Sequence, residues 1–299
     1  MSSYHVPVLL KESVEGLSIK KDNVIVDVTF GGGSHSRKIL EYLGDNGRLI
    51  AFDQDPDSLR NALEDERFTL NNANFKHLKR FLRVNGHQQV DGVLADLGVS
   101  SYQFDTAERG FSFRFQADLD MRMDKSGSLT ASDVLNSYTT EDLQSVFSRY
   151  GEVRNAKTLA AHIVEERSRQ KFSDINGFLH SIGPLVRGNR NKYLAQLFQA
   201  IRIEVNDEMG TLESLLRESY EVLKVGGRLS VISYHSLEDR MVKNFFKTGN
   251  FTGEVEEDFY GNKSRPFKII TKKPLAPSAE EIKNNNRARS ARLRIAEKV

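Results

Sequence analysis

Three aspartates, each at the end of an apolar run, are the residues of this 299-residue chain best placed to do chemistry. Asp27 ends the run VIVD, Asp53 ends the run RLIAFD and Asp96 ends the run VDGVLAD. Short apolar runs of this kind predict buried strands, and the ligands of doubly wound parallel sheets collect at the carboxyl ends of the strands. We therefore expect the three carboxylates to lie along one rim of a sheet. For Asp96, the alternative is an ordinary helix or turn cap.

The glycine-rich turn that follows Asp27 narrows the class of ligand. Residues 31–33 are all glycine, but the turn has neither the G-x-G-x-x-G pattern of a dinucleotide site nor the lysine of a P-loop. Glycines allow close backbone approach, and Asp27 places negative charge where a phosphate would be repelled. The combination suits a cationic ligand with an amino-acid portion, such as S-adenosylmethionine, with Asp53 accepting hydrogen bonds from both ribose hydroxyls. In the alternative interpretation the glycines only make a tight turn, and Asp53 caps the helix predicted from Asp55.

Composition excludes several classes of protein. With 28% charged and 38% hydrophobic residues, the chain is typical of water-soluble globular proteins. It shows neither a signal peptide nor an apolar run long enough to span a bilayer, so we expect a cytoplasmic location and no membrane partner. The absence of cysteine excludes the thiolate chemistry that methylates carbon 5 of pyrimidines, and leaves transfer to nitrogen or oxygen. Histidines and carboxylates show no metal-ligand spacing, so no metal is predicted.

Positive charge is concentrated at the C-terminus. From Arg265 to Val299 the chain has ten Lys or Arg and three Glu, a net charge of +7, whereas the whole chain carries +2. The segment RARSARLR at residues 287–294 has the charge density of a phosphate-binding stripe. It is equally typical of a solvated edge strand, since apolar and basic residues alternate from Ala291 to Ile295.

A long interval separates the Asp96 strand from the next predicted strand. Loops longer than about 15 residues are uncommon in compact domains, so this interval must form structure of its own, and its apolar spacing is helical. The sequence therefore predicts an all-α domain inserted into an α/β sheet domain. Helices are predicted at 34–43, 140–150, 156–166 and 206–223, strands at 24–27, 48–53, 90–96 and 228–234, and a turn at 224–227.

Together these residues identify a family resemblance. The chain resembles the bacterial 16S ribosomal RNA cytosine-N4 methyltransferases, a class I S-adenosylmethionine-dependent family, along nearly its whole length. The matching blocks are HVPVLL (5–10), DVTFGGGSHS (27–36), DLGVSS (96–101) with Gln103, ERGFSF (108–113), LDMRMD (119–124), FQAIRI (198–203), SYHSLEDR (233–240) and NRARS (286–290).

The resemblance implies a Rossmann-like class I methyltransferase sheet domain, formed by residues 1–106 and 206–299, with an inserted all-α domain at 107–205 for RNA recognition. It implies S-adenosylmethionine as cofactor and, as substrate, a cytidine of the decoding region (P site) in 16S ribosomal RNA or the small ribosomal subunit. The oligomeric state is open, with a homodimer as one option. The implied cofactor contacts are Gly33, Ser34, His35, Asp53, Phe75, Asp96 and Gln103. Many family members have glycine where this chain has Ser34.

The chemistry assigns one residue a catalytic role. The lone pair of a cytosine amine is delocalised into the ring, so an acceptor at hydrogen-bond distance would favour the attacking form of the nitrogen and help to remove its proton. Asp96 stands where amino-methyltransferases of related folds place an Asp, Asn or Ser. The irregular segment 111–124 is expected over the rim. Candidates for stacking on the base are Phe111, Phe113 and Tyr234, of which at least one is expected in the core.

The sequence leaves two histidines and three alternative functions to be considered. His235 follows a strand end and could approach the substrate, whereas His162 is expected to be ordinary helix surface or core. A dehydrogenase would need a pyrophosphate loop that is missing, and a noncatalytic RNA-binding factor stays open. Ribose 2′-O transfer usually relies on a lysine, and the motifs at Asp96 and at residues 233–240 contain none.

Overall fold

A computed structural model describes residues 7–255 and 265–299 of the chain. His5 and Val6, which begin the HVPVLL block, lie outside the described residues. By the density of internal contacts the chain divides into two compact units, one of Met1–Gly98 with Met209–Val299 and one of Val99–Glu208. The sequence-based domain boundaries were 106/107 and 205/206.

The first unit is built on one seven-stranded sheet with the order β3-β2-β1-β4-β5-β7-β6. Strands β1 to β5 pair in parallel, and β7 pairs antiparallel with both β5 and β6. This mainly parallel, doubly wound order is Rossmann-like, and the predicted α/β fold class is confirmed. The strands are β1 Val24–Asp27, β2 Arg48–Asp53, β3 Phe68–Asn72, β4 Val90–Asp96, β5 Leu223–Ser233, β6 Phe267–Ile269 and β7 Arg292–Lys298.

Helices cover the sheet because its central strands are apolar on both faces, as parallel strands require. In β4, the residues from Gly92 to Ala95 are all buried. Leu212 and Phe246 come from helices and pack with β-strand residues such as Val93 in one core cluster. The helices of this unit are α1 Leu10–Glu15, α2 Ser34–Leu40, α3 Leu78–Val84, α10 Glu208–Val222, α11 Ser236–Thr248 and α12 Ala279–Asn284.

The second unit contains helices and no strand among its residues, all of which are described. Thr139 caps one helix by accepting a hydrogen bond from the Asp142 backbone N–H, which explains why that helix begins where it does. Phe147 and Phe178 belong to its apolar core, with 0% exposure each. The helices are α4 Ser101–Asp105, α5 Ala131–Ser137, α6 Thr140–Gly151, α7 Ala156–Arg169, α8 Ile175–Ile182 and α9 Arg190–Val205. Across the described ranges, no helix has both the length and the apolar character needed to cross a bilayer.

Several local predictions need correction. Helix α2 ends at Leu40 rather than at residue 43. The predicted turn at 224–227 lies inside β5 as an irregularity, where residues 224–226 are exposed and the register with β4 shifts between Val90 and Gly92. The short strand β3 was not predicted, because its half-buried sequence FTLNN lacks a clear apolar pattern.

The basic C-terminal segment ends in an interior strand. Alternate residues Leu293 and Ile295 are buried, as the alternation predicted, but the expectation of an edge strand is wrong because β6 covers the outer side of β7. Arg294 makes a two-pronged ion pair with Asp239, at 2.7 and 3.0 Å. That guanidinium is therefore engaged inside the protein, whereas Arg287 and Arg289 are exposed.

Candidate active site

The carboxyl ends of β1, β2 and β4 form the rim on which the candidate site stands. In the sheet register Asp27 pairs with Ala51 of β2 and with Leu94 of β4. Asp53 and Asp96 each lie two residues further along their strands, which is about 6–7 Å. Asp27 is therefore one layer below the rim, with 0% exposure. The expectation of three carboxylates at one level is corrected to two at the rim and one beneath it.

The glycine turn leaves room on one side. The Gly33 N–H donates to the Phe30 carbonyl at 2.7 Å, and Gly31 and Gly33 have φ of +50° and +74°. A Cβ on Gly33 would lie 2.9 Å from the Phe30 ring, so a side chain is excluded there. A Cβ on Gly32 would meet no atom within 4 Å. The turn thus presents bare backbone to open space at Gly32.

Asp53 joins the second strand to this turn. Its Oδ2 accepts a hydrogen bond from the Gly31 N–H at 2.7 Å, and its Oδ1 accepts one from the Asp55 N–H at 2.8 Å. Burial raises the pKa of Asp53 to about 6, although the two backbone hydrogen bonds oppose that rise. At neutral pH the carboxylate is mainly ionised, and each oxygen keeps a lone pair for another donor. It does not cap the short 3-10 helix Pro56–Asn61 that follows β2, because Asp55 does so.

Asp27 supports the site from below. Its carboxylate accepts hydrogen bonds from Ser36 Oγ at 2.7 Å and from the Thr29 N–H at 3.1 Å. Burial raises its pKa from 3.8 to about 6. Because the folded-state pKa lies above the unfolded value, this group's contribution to stability is largest below pH 3.8 and is lost as the pH rises through about 6. The loss at neutral pH is about 3 kcal/mol. A buried carboxylate with a raised pKa beside a glycine-rich turn is a candidate functional residue.

Asp96 lies beside two predicted site residues. Its Oδ1 accepts a hydrogen bond from the Tyr234 hydroxyl at 2.7 Å, and its Oδ2 lies 3.9 Å from His35 Nδ1. The Asp96 N–H donates to Thr29 Oγ1 at 2.6 Å, which joins the ends of β1 and β4. Burial raises the pKa of Asp96 to about 6, while His35 and the Tyr234 hydrogen bond lower it. His35 is placed by its other nitrogen, Nε2, which is 3.3 Å from the Val8 carbonyl oxygen.

Three further predicted cofactor contacts, Ser34, Phe75 and Gln103, lie on separate elements of the structure. Ser34 is the first residue of α2, between Gly33 and His35. Phe75 is half-buried just beyond β3, and the preceding segment reaches the Asp53 strand through the Ala73 N–H, which donates to the Asp53 carbonyl at 2.9 Å. Gln103 belongs to the second unit, where its side chain completes the N-terminal cap of α4 with Ser100. Its role toward a cofactor stays a prediction.

Two candidates for substrate contact have structural roles. His235 caps α11, because its Nδ1 accepts the Glu238 N–H at 3.4 Å. Its approach to the substrate stays a prediction. Phe111 is 5% exposed in the core of the second unit, as expected for at least one aromatic, while Phe113 contacts Phe198 edge-on. His162 bonds the Ser181 carbonyl at 2.9 Å, so the structural interpretation of that histidine is confirmed.

Sequence reasoning missed Thr29 and the hydroxyl of Tyr234 as partners of Asp96. Thr29 follows β1 by two residues, which is the spacing that brings a side chain level with the ends of the neighbouring strands, so its position carried a signal. Tyr234 was considered only for its ring. Its hydroxyl contact joins residues 138 positions apart, and no local pattern encodes such a pair.

The rim has features that fit S-adenosylmethionine. Open space beside Gly32 admits a ligand against the backbone, and Asp53 offers ionised acceptor oxygens for a diol. Buried Asp27 adds negative charge, which favours a cation and disfavours a phosphate. Residues 31–33 and Asp53 would hold such a cofactor. The contacts of Asp96 and His35 with it stay predictions.

Comparison with known proteins agrees with this fit. Three relatives bear the name ribosomal RNA small subunit methyltransferase H. The relative from Flavobacterium johnsoniae is 59% identical over 99% of this chain and 98% of its own length. The relative from Cytophaga hutchinsonii is 56% identical over 99% of both chains, and that from Parabacteroides distasonis is 54% identical over 100% of this chain and 98% of its own. A solved rRNA methylase from Streptococcus thermophilus aligns over 99% of both chains with 12% identity and a TM-score of 0.44, which is too low to argue from.

A family model covers the chain almost from end to end. The model described as the MraW methylase family matches residues 2–299. Because that match spans both compact units and the relatives are 54–59% identical along them, the chain belongs to the MraW methylase family, whose members depend on S-adenosylmethionine.

Proposed function

We propose that this protein methylates the N4 amine of one cytidine in the decoding region (P site) of 16S ribosomal RNA. The observation that carries the proposal is Asp96, a carboxylate at the end of β4 with Oδ1 held by Tyr234 and with a raised pKa that suits proton acceptance. The relatives' printed name supports small-subunit ribosomal RNA as the substrate class. The cytoplasm, where ribosomes are assembled, is the location that this function requires.

The chain's own residues align and deprotonate the amine. S-adenosylmethionine, when bound, supplies a methyl group already activated on a sulfonium, so no strong base is demanded. The backbone of residues 31–33 and Asp53 would hold the cofactor in place, which would align the reacting atoms. Asp96 accepts a hydrogen bond from the amine, favours its attacking form and takes up the proton that the nitrogen loses. His35 lies on the other side of that carboxylate and supports its ionised form.

The second unit is proposed to recognise RNA. Exposed basic side chains flank the point where Asn155, at the start of α7, donates a hydrogen bond to the Leu185 carbonyl in the segment before α9, at 2.9 Å. Such a cluster suits a phosphate backbone. Its residues are Arg154, Lys157, Arg187, Arg190 and Lys192. Whether two copies of the chain act together is open, and a homodimer stays a prediction.

A methyl-transfer assay tests the proposed function. We expect the protein to transfer labelled methyl groups from S-adenosylmethionine to small subunits purified from cells that lack the protein, and much less to subunits from normal cells. Mass spectrometry should locate the label on N4 of one decoding-region cytidine. Label on a ribose would support 2′-O transfer instead, and no transfer to any form of the subunit would support a noncatalytic RNA-binding factor.

The exposed part of the basic C-terminal segment should contribute to RNA binding. We expect the double variant Arg287→Ala and Arg289→Ala to lower the slope of log affinity against log salt by up to about two, one unit for each phosphate that is no longer neutralised, with cofactor affinity unchanged. The matched control is Lys20→Ala with Lys21→Ala, an exposed pair just before β1, at the opposite end of that strand from the rim. If the two double variants gave the same slope as the wild type, the segment would be a solvated surface.

A further inference from the structure

We propose that Tyr234 is a positioning residue for the reaction, which holds the Asp96 carboxylate by Oδ1 and thereby leaves Oδ2 to receive the target amine. The inference rests on the proposed function, and it names the atom that accepts the proton and the side chain that orients it. Asp96 and Tyr234 both belong to the first compact unit.

Two anchors place the Tyr234 side chain. In the register of β4 and β5, Asp96 pairs with Ile232, so Gly98 and Tyr234 each lie two residues beyond that pair. Gly98 has φ of +97°, and a Cβ there would be 3.3 Å from the tyrosine ring, so the ring packs closely on a residue without a side chain. The Tyr234 N–H donates to Glu238 Oε2 at 2.8 Å, which ties the backbone to the start of α11.

The two oxygens of Asp96 differ in their surroundings. Oδ1 accepts the 2.7 Å hydrogen bond from the Tyr234 hydroxyl. Among the described residues, no hydrogen bond to Oδ2 is found, and His35 Nδ1 lies 3.9 Å away, beyond hydrogen-bond distance. Each oxygen of an ionised carboxylate can accept a hydrogen bond, and the Asp96 side chain is 14% exposed. Oδ2 is therefore the oxygen with capacity for a ligand's N–H.

The tyrosine hydroxyl also keeps the acceptor charged. Burial raises the pKa of Tyr234 well above 10, so the hydroxyl stays protonated and donates throughout the working range. A donor to the ionised form lowers the pKa of a carboxyl. His35 acts in the same direction on Asp96, whereas Asp27 and Glu238 act in the opposite one. Without the hydroxyl, the carboxyl would hold its proton to a higher pH and would lose its fixed orientation.

Tyr234→Phe tests this role because it keeps the ring against Gly98 and removes only the donor. We expect the pKa of the Asp96 carboxyl, followed by carbon-13 NMR in the ligand-free protein and assigned with Asp96→Asn, to rise by about one unit, the effect of one hydrogen bond to a charged group. Single-turnover methylation at saturating cofactor and RNA should fall about fivefold further at pH 6 than at pH 8.5, because the raised pKa adds to a loss of orientation that is the same at both pH values.

The matched control is Tyr220→Phe, a tyrosine of the same unit whose ring contacts Phe267. It should leave both the Asp96 titration and the pH profile unchanged. An Asp96 titration in Tyr234→Phe identical to wild type, or a rate loss equal at every pH, would overturn the proposal. If wild-type protein transferred no methyl group, the proposed function would fail, while the NMR titration would still decide whether Tyr234 controls Asp96.

Discussion

Replacing Asp96 with alanine is expected to lower the single-turnover rate of methylation about a hundredfold or more, the scale of losing one positioned proton acceptor. Asp96→Asn should fall between wild type and Asp96→Ala, because the amide keeps an acceptor of similar shape but loses the charge and adds a donor toward the amine. The measurement is a rapid-quench single-turnover assay with labelled cofactor.

Saturation has to be shown first for both variants, because Asp96 is also a predicted cofactor contact. The Thr29 bond to the Asp96 backbone N–H is independent of the side chain, so the ends of β1 and β4 should stay joined. A near-normal rate in saturated Asp96→Ala protein would reduce Asp96 to a binding residue and leave alignment as the source of catalysis.

Asp53→Ala should weaken S-adenosylmethionine binding by about 2 kcal/mol or more, which is roughly a thirtyfold rise in Kd. The carboxylate is proposed to hold both ribose hydroxyls, and it also fixes the glycine turn through the Gly31 N–H. Both losses act in the same direction. Isothermal titration calorimetry on the folded variant measures the change directly.

Asp65→Ala is the matched control, since Asp65 pairs with Arg67 before β3, away from the carboxyl ends of the strands. Its cofactor affinity should equal that of wild type. Asp53→Asn separates the contact with the glycine turn from the contact with the ribose. The amide oxygen can still accept a hydrogen bond from the Gly31 N–H, but the uncharged amide cannot accept hydrogen bonds from both ribose hydroxyls. Unchanged affinity in folded Asp53→Ala would remove Asp53 from the site.

The sequence alone determined the strands that carry the site and the residues at their ends. The runs that end at Asp27, Asp53 and Asp96 form strands as predicted, because an apolar run between polar residues is stable only when buried. The length of the interval after the Asp96 strand predicted the helical unit, since more than a hundred residues between two neighbouring strands of a compact domain must form structure of their own. These properties depend on nearby residues, so a single sequence carries them.

Tertiary structure decided the level and the partners of each side chain. Strand register placed Asp27 beneath the rim and Thr29 level with Asp96. The order of strands in the sheet placed β7 between β5 and β6. In that position Arg294 pairs with Asp239, so this arginine is not part of the candidate RNA surface.

The contact of Tyr234 with Asp96 was also decided by tertiary structure. It depends on the register of β4 and β5, two strands that the whole second unit separates in the sequence. Hydrophobic patterns specify which residues are buried, since burial depends on the free energy of transfer from water. They do not specify which polar groups meet once buried, because that choice depends on register, and a shift of two residues preserves the same buried face.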